Sequence, residues 1–348
     1  MHAIDDHPRL ILRAIATGTH LLPPAFTVRE VEGEFEDVVR IEMRTPGDTG
    51  RFEDARALGR GVSALAGYLA SNPTEVVFVL GDHLEGVAAA AAASVAGIRV
   101  AHMHGGDRAE GVADEAMRHA ITKLAHVHLP ATEESAQRII RMGEDPQRVH
   151  VVGSPAIDGL DEMPALDDGA YEALGRPEIV FLHHPVGGDD DEECAAARRL
   201  LDLCRESGRV LALHPNHDPG RDGVLRAIEQ TLDLVHVPHL PRARFIGLLR
   251  RVKAMAGNSS AGLIECAALP LWCINVGPRQ AGREKPDNVL DCADGDGPAI
   301  EEALRRVFIE PPPAYDGRYG DGRTGPRTAE LLATFPPDNH PVRKQNSY

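Results

Sequence analysis

Three residues able to handle protons, Asp82, His104 and Asp107, each stand just beyond an apolar run in the stretch VFVLGDHLEGVAAAAAASVAGIRVAHMHGGDRAEG, Val77–Gly111. Carboxylate and imidazole groups gathered in one place can remove and return protons near neutral pH. The pattern around them is what would gather them. Two short apolar runs separated by a small-residue helical stretch read as one βαβ unit. Both strands of such a unit run the same way, so their carboxyl ends meet at one edge, where ligands of open α/β sheets bind.

Four further groups could join that chemistry. In DEAMRHAITKL, Asp114 and Arg118 share one helix face, and Glu115 and His119 share the next. A surface ion pair is the ordinary outcome of such spacing, but this helix follows the His104–Asp107 loop directly. In GNSSAGLIE, a short strand enters Gly257, and Asn258, Ser259 or Ser260 caps a helix whose free N–H groups suit an anion. Gly262 and Glu265 lie within the same motif, Glu265 where it could accept sugar hydroxyls. The next Gly-bearing loop, VGPRQAGR, adds Arg279 and Arg283, and guanidinium forks match phosphate. A capped helix without ligand is the plain alternative. The histidines His102, His104, His183, His184 and His214 close apolar runs. No HExxH spacing supports a metal, so hydrogen-bonding or acid–base duty is expected and no metal site is assigned. HPNHDPGRDG, which holds His214, Asn216 and Asp218, reads as a turn at a strand end.

The elements that must position these residues alternate along the chain. LILRAIATG ends a strand at Gly18, residues 51–71 form an amphipathic helix, and Thr74–Gly81 is a strand. Helix Ala113–Leu124, strand His126–Ala131, helix Glu133–Met142 and strand Val149–Gly153 follow. The polar, Pro-containing stretch Asp161–Pro177 reads as a link, after which the alternation resumes. Strands are expected at Glu178–Leu182, Val210–His214, Leu234–His236, Ala254–Ala256 and Leu271–Val276. Helices are expected at Asp190–Glu206, Gly223–Gln230, Pro241–Arg250, Ser260–Ala268 and Ile300–Phe308. The fold class is α/β, with two Rossmann-like domains of parallel sheet, residues 1–165 and 176–335, meeting at a cleft, and a polar tail, 336–348, expected to be mobile.

A net charge of −16 over 348 residues argues against nucleic acid and anionic membrane surfaces as partners. Five cysteines without a CxxC pair fit reduced thiols. The charged start and the lack of an apolar run of about 20 residues point away from a leader or a membrane span, and toward the cytoplasm.

Taken in order, these segments resemble the hydrolysing UDP-N-acetylglucosamine 2-epimerases, and most of all the branch serving sialic and nonulosonic acid pathways. The residues carrying the resemblance are ATGTHLLP (16–23), VLGDHLE (79–85), AHMHGGD (101–107), DEAMRHAITKLAH (114–126), VVGSPAID (151–158), HPNHDPG (214–220), GNSSAGLIE (257–265), NVGPRQAGR (275–283) and YGDGRT (319–324). The resemblance implies a GT-B-like fold with UDP in the interdomain cleft, the diphosphate on Ser259 and Ser260 and the ribose on Glu265. It implies no cofactor and no catalytic metal, and suggests a homodimer. The reaction implied is elimination of UDP to a 2-acetamidoglucal, then addition of water to give the free 2-epimeric sugar. Asp82 with Glu115 or Asp114 would flank the ring, with His104, Arg118 and His184 beside it. Asp107, His214, Asn216, Asp218, Gly257, Asn258, Gly262, Arg279 and Arg283 would line the substrate. Other readings are a UDP-sugar-binding remnant without turnover and a GT-B glycosyltransferase. The chain departs from the family pattern in three places. It opens near the end of the family's first helix, without the usual first strand and Gly-x-Arg loop. It has His83 where Arg is common, and it ends HGGD at Asp107 where HGGE is usual.

Overall fold

The structure, a computed structural model, describes residues 1–23, 26–47, 50–110, 114–335, 343–345 and 347. It divides into two units, one of Met1–Arg108, Ala113–Asp158 and Tyr319–Tyr348, the other of Ala109–Val112 and Gly159–Arg318.

In the first unit, β1 (Ile15–Thr17) pairs in parallel with β2 (Val39–Ile41). Separately, β3 (Val76–Leu80), β4 (Arg99–Met103) and β5 (Val127–Leu129) form a parallel three-stranded sheet in that order. Helix Arg51–Ser71 buries Ala57, Leu65 and Leu69 in a core shared with Val79, Val87, Val100 and Ile121. Helix Leu84–Val95 is alanine-rich because it packs closely on that helix: a Cβ on Gly61 would stand 3.1 Å from the Cβ of Ala88. The opposite face holds Ala101, Met103, Val127, Leu129 and Val152, against Leu331, Leu332 and Phe335. β3 ends its sheet, and its Phe78 and Leu80 are 36% and 53% exposed.

In the second unit, β6 (Ile179–Leu182), β7 (Val210–Leu213), β8 (Val235–Val237), β9 (Ala254–Gly257), β10 (Trp272–Val276) and β11 (Val289–Cys292) form one parallel sheet ordered β11-β10-β9-β6-β7-β8. Strands buried on both faces read as near-continuous apolar runs, as β6, β7, β9 and β10 do. Their core includes Phe181, Leu201, Ile228, Ile274 and Leu304. This is the doubly wound order of a dinucleotide-binding fold. Its direction of winding reverses between β6 and β9, which places a crevice beyond their carboxyl ends.

The structure differs from the expectations in several places. The strand expected over Val149–Gly153 is a single bridge, His128 to Val149, because Pro155 and Gly153 turn the chain away. The helix expected over Ser260–Ala268 is two four-residue turns broken at Ile264. The expected link is built into the second unit: helix Asp168–Ala173 carries Tyr171, whose hydroxyl donates to the Pro177 carbonyl while Arg251 lies 4.3 Å from the ring centroid. The expected boundary at residue 335 also shifts, since residues from Tyr319 onward belong to the first unit. There the Ser154 N–H donates to the Tyr319 carbonyl, and Asp158 accepts from the N–H groups of Thr324 and Gly325, starting helix Thr324–Thr334. The start of the expected helix at Ala113 and most of the 336–348 tail lie outside the described residues.

Candidate functional site

Site residues of the first unit follow the carboxyl ends of β3 and β4. Gly81-Asp82 leaves β3, and the Asp82 carboxylate pairs with the Arg118 guanidinium, which helix Asp114–Leu124 carries. The turn at Gly81 is braced from behind by buried His102. Its Nε2 donates to the Gly81 carbonyl at 2.8 Å, and its Nδ1 meets the Thr122 hydroxyl at 3.2 Å. Burial pushes His102 down to about 4, so it brackets the turn as a neutral ring and does not exchange protons at neutral pH. Glu115 lies 3.5 Å from His119, the i,i+4 pair read from the spacing. The Asp114 side chain lies outside what is described. Among the described contacts, Arg118 turns to Asp82 and to the Asp107 backbone carbonyl, 3.0 Å away.

The loop after β4 is closed on itself. His104 Nδ1 is 2.9 Å from the Asp107 carboxylate, and His104 Nε2 is 3.0 Å from the Ser154 hydroxyl. Ser135 donates to the other Asp107 oxygen at 2.9 Å. Asp107, expected at the substrate, is thus only 3% exposed with both oxygens engaged. Gly106 is needed here, with φ +76° and a would-be Cβ 2.2 Å from the Ser135 carbonyl.

In the second unit, the switch point between β6 and β9 carries two loops locked to each other. The Asn258 amide, 1% exposed, accepts from the His184 N–H at 2.7 Å and donates to the His184 carbonyl at 2.8 Å. Gly257, φ +145°, lets β9 approach so closely that a Cβ would sit 2.0 Å from the Leu182 carbonyl. Ser259 then caps the first turn, accepting from Ala261 N–H at 3.4 Å, and Ser260 opens that turn with its side chain partly exposed. Gln280 donates to the Asn258 carbonyl at 2.8 Å and accepts from Arg283 at 2.9 Å, which ties the VGPRQAGR loop in.

His184 Nδ1 accepts from the Asn216 N–H at 3.1 Å, so its proton rides on Nε2. Enclosure by protein, then Arg279 and His183, hold its titration well below the usual histidine range. It therefore offers a neutral N–H donor. Asp218 accepts from Asn216 at 2.6 Å and from Arg279 at 3.2 Å, while the buried Arg279 Nε has no hydrogen-bond partner. An unpartnered guanidinium N–H and a neutral imidazole N–H on neighbouring loops make a candidate anion cradle.

The remaining expected residues of the second unit have neighbours of their own. His214 Nε2 contacts His236 Nδ1 at 2.9 Å in a stacked pair, with desolvation and then His236 lowering its titration. Glu265 faces Arg242 at 3.7 Å. Gly262 packs on Cys273, whose Sγ would be 2.3 Å from an added Cβ. Ser154, Ser135, Gln280, Arg242 and His236 were not singled out by the sequence reading. Only Ser154 had a signal, the Ser-Pro cap of VVGSPAID.

Comparison with known proteins places the whole chain. The UDP-N-acetylglucosamine 2-epimerase family model matches residues 2–333. A UDP-N,N'-diacetylbacillosamine 2-epimerase (hydrolyzing) of Legionella pneumophila is 34% identical over 361 aligned positions, covering 100% of this chain and 94% of the relative. A UDP-N-acetylglucosamine 2-epimerase of Neisseria meningitidis is 28% identical over 94% of this chain and 89% of its own length. Among solved structures, the Neisseria meningitidis UDP-GlcNAc 2-epimerase bound to UDP-GlcNAc superposes with a TM-score of 0.78 at 16% identity, covering 94% of this chain and 93% of that one. The Methanocaldococcus jannaschii enzyme, in complex with UDP-GlcNAc and UDP, gives 0.69 at 15% identity, with 88% and 94% covered. The shared fold is α/β with two Rossmann-like units, of GT-B-like class, and the chain belongs to the UDP-N-acetylglucosamine 2-epimerase family.

Proposed function

We propose that the protein is a hydrolysing 2-epimerase that converts a UDP-N-acetylhexosamine to the free 2-epimeric sugar and UDP. The observation that carries this reading is the cradle at the second unit's switch point: Ser259, Ser260, the His184 Nε2–H and the unpartnered Arg279 Nε. Elimination of UDP needs stabilisation of charge that develops on the departing diphosphate, and preorganised donors provide it. The helical turn there is only four residues long, so individual N–H groups, more than a long helix dipole, do the stabilising. Glu265 and Arg242 would hold the ribose end. The hexose falls to the first unit's acid groups. Asp82, held by Arg118, and Glu115 or Asp114 remove the C2 proton and return one to the opposite face. The pattern of relatives favours a sugar carrying a second acetamido group, as in the diacetylbacillosamine enzyme, and so a place in nonulosonic acid synthesis. We further propose a cytoplasmic homodimer that acts without nucleic acid, membrane, metal or cofactor. Among the described residues no helix is long and apolar enough to cross a membrane.

The test is NMR in D₂O with UDP-GlcNAc and UDP-N,N'-diacetylbacillosamine. Release of UDP with deuterium at C2 of the product is expected. Calorimetric UDP binding that depends on Ser259 and Arg279, without turnover of either sugar nucleotide, would reduce the protein to a binding module.

A further inference from the structure

The Ser154, His104 and Asp107 side chains have the order of a hydrolytic triad, yet they are arranged so that none can act on a substrate directly. Ser154 is 0% exposed, which removes it as a nucleophile. The Asp107 carboxylate only accepts, so His104 Nδ1 carries the proton between them. His104 Nε2 is spent on the Ser154 hydroxyl. Both ring nitrogens are therefore consumed within the protein. His104 also sits at φ +60°, a left-handed conformation costly for a residue with a Cβ that persists only where its surroundings enforce it. The anchor is Ser154. Its N–H donates to the Tyr319 carbonyl at 2.8 Å, and its hydroxyl accepts from the Ala156 N–H at 3.3 Å. With Ser135 on the second oxygen, the Asp107 side chain and peptide plane are fixed. The Asp107 carbonyl is the acceptor for Arg118, whose other terminal nitrogen holds Asp82.

We propose that Ser154 is a positioning residue for Asp82, acting through His104, Asp107 and Arg118, and that His104 is a link in this chain and not itself a proton donor or acceptor at the sugar. The inference rests on the reading of Asp82 as a group that handles the C2 proton. Ser154→Ala should lower kcat on the UDP-sugar about 10-fold while KM stays within twofold. Ser154→Cys, which keeps a weak donor in nearly the same volume, should recover part of the loss. Combined with Arg118→Lys, Ser154→Ala should add less than a further threefold. Independent, multiplicative losses would overturn the proposal, as would a rise in KM with kcat intact. A second measurement does not need turnover: ¹⁵N NMR of the wild type and Ser154→Ala. The His104 Nε2 and Arg118 Nε–H signals should both move, with His104 Nδ1 still protonated. A still Arg118 signal overturns the proposal. Absence of turnover by the wild type on any UDP-N-acetylhexosamine would instead defeat the proposed function, and the NMR result then decides the network alone.

Discussion

Replacing Asn258 by alanine tests the switch-point cradle most directly. The Asn258 amide satisfies both backbone groups of His184, at 2.7 and 2.8 Å, from a position 1% exposed. Orphaning a buried backbone donor or acceptor costs roughly 1–3 kcal/mol each. The pair therefore costs about 2–6 kcal/mol, a large share of the ~5–15 kcal/mol that typically holds a protein folded. Some of this cost would be avoided if the His184 loop shifted until water reached the freed groups. That shift would withdraw the Nε2–H from the proposed diphosphate site, and a lost transition-state donor costs about 10²–10³ in kcat. Asn258→Ala should therefore lower kcat at least 100-fold, lower Tm by several degrees, or both. Asn258→Asp sharpens the test. As a carboxylate it accepts from the His184 N–H but faces the His184 carbonyl with a second acceptor. Protonated, it can donate as the amide does. Its deficit in stability should thus shrink as pH falls from 7 toward 5. UDP release followed by NMR, with thermal unfolding read by circular dichroism, measures all three. An Asn258→Ala protein with Tm within 1 °C and kcat within threefold of the wild type would refute the reasoning, and so would an Asn258→Asp deficit that is flat with pH.

Other substitutions probe other parts of the molecule. Gly257→Ala would bring a Cβ 2.0 Å from the Leu182 carbonyl at φ +145°, forcing β9 from β6; a loss of more than about 3 kcal/mol is expected from clash and strain together, read by urea unfolding. Buried His102 and His183, both held at about 4 chiefly by burial, bind fewer protons folded than unfolded between pH 4 and 6.5. Their contribution is present above pH 6.5 and is lost as pH falls toward 4, at up to about 1.4 kcal/mol per pH unit each. His183→Asn should flatten that dependence in urea titrations at pH 7, 6 and 5. Burial opposes ionisation of Glu144, but hydrogen bonds from His128, Lys123 and Lys344 at 2.9, 2.6 and 2.6 Å outweigh it and hold the carboxyl at about 2. Its stabilisation is present above pH 4.5 and is lost as pH falls toward 2, so Glu144→Gln should remove that acid transition at a cost on the order of 2 kcal/mol at pH 7.

Much of the second unit was legible because β6, β7, β9 and β10 bury both faces and announce themselves as apolar runs between turn residues. Gly257, Asn258 and Ser259 could be placed at a strand end from sequence alone. The first unit was less so. β1 and β2 are three residues each, too short to set a period. In the second unit, β11 buries only its last residue and shows no period, and the return of Tyr319–Thr334 to the first unit is a long-range packing choice that no local pattern encodes. Among site residues, spacing brought Glu115 to His119 but also suggested Asp114 for Arg118, whose described partners are Asp82 and the Asp107 carbonyl. Asp82 reaches Arg118 from the end of another strand, a contact that spacing along the helix does not encode. Asp107 lies in a motif that reads as substrate-facing. Among the described contacts, His104 and Ser135 hold its carboxylate inward.

The lone flank of β3 has a practical meaning. A strand whose outer backbone groups lack a partner strand among the described residues, and which shows Phe78 and Leu80 to solvent, is a ready template for another extended segment. Natural sheets guard such margins with lysine, proline or a bulge, and between Val76 and Leu80 this chain has none of the first two. Self-association at high concentration can therefore arise by zipping along this margin, independently of any specific dimer, and a Leu80→Lys gatekeeper distinguishes the two in sedimentation experiments.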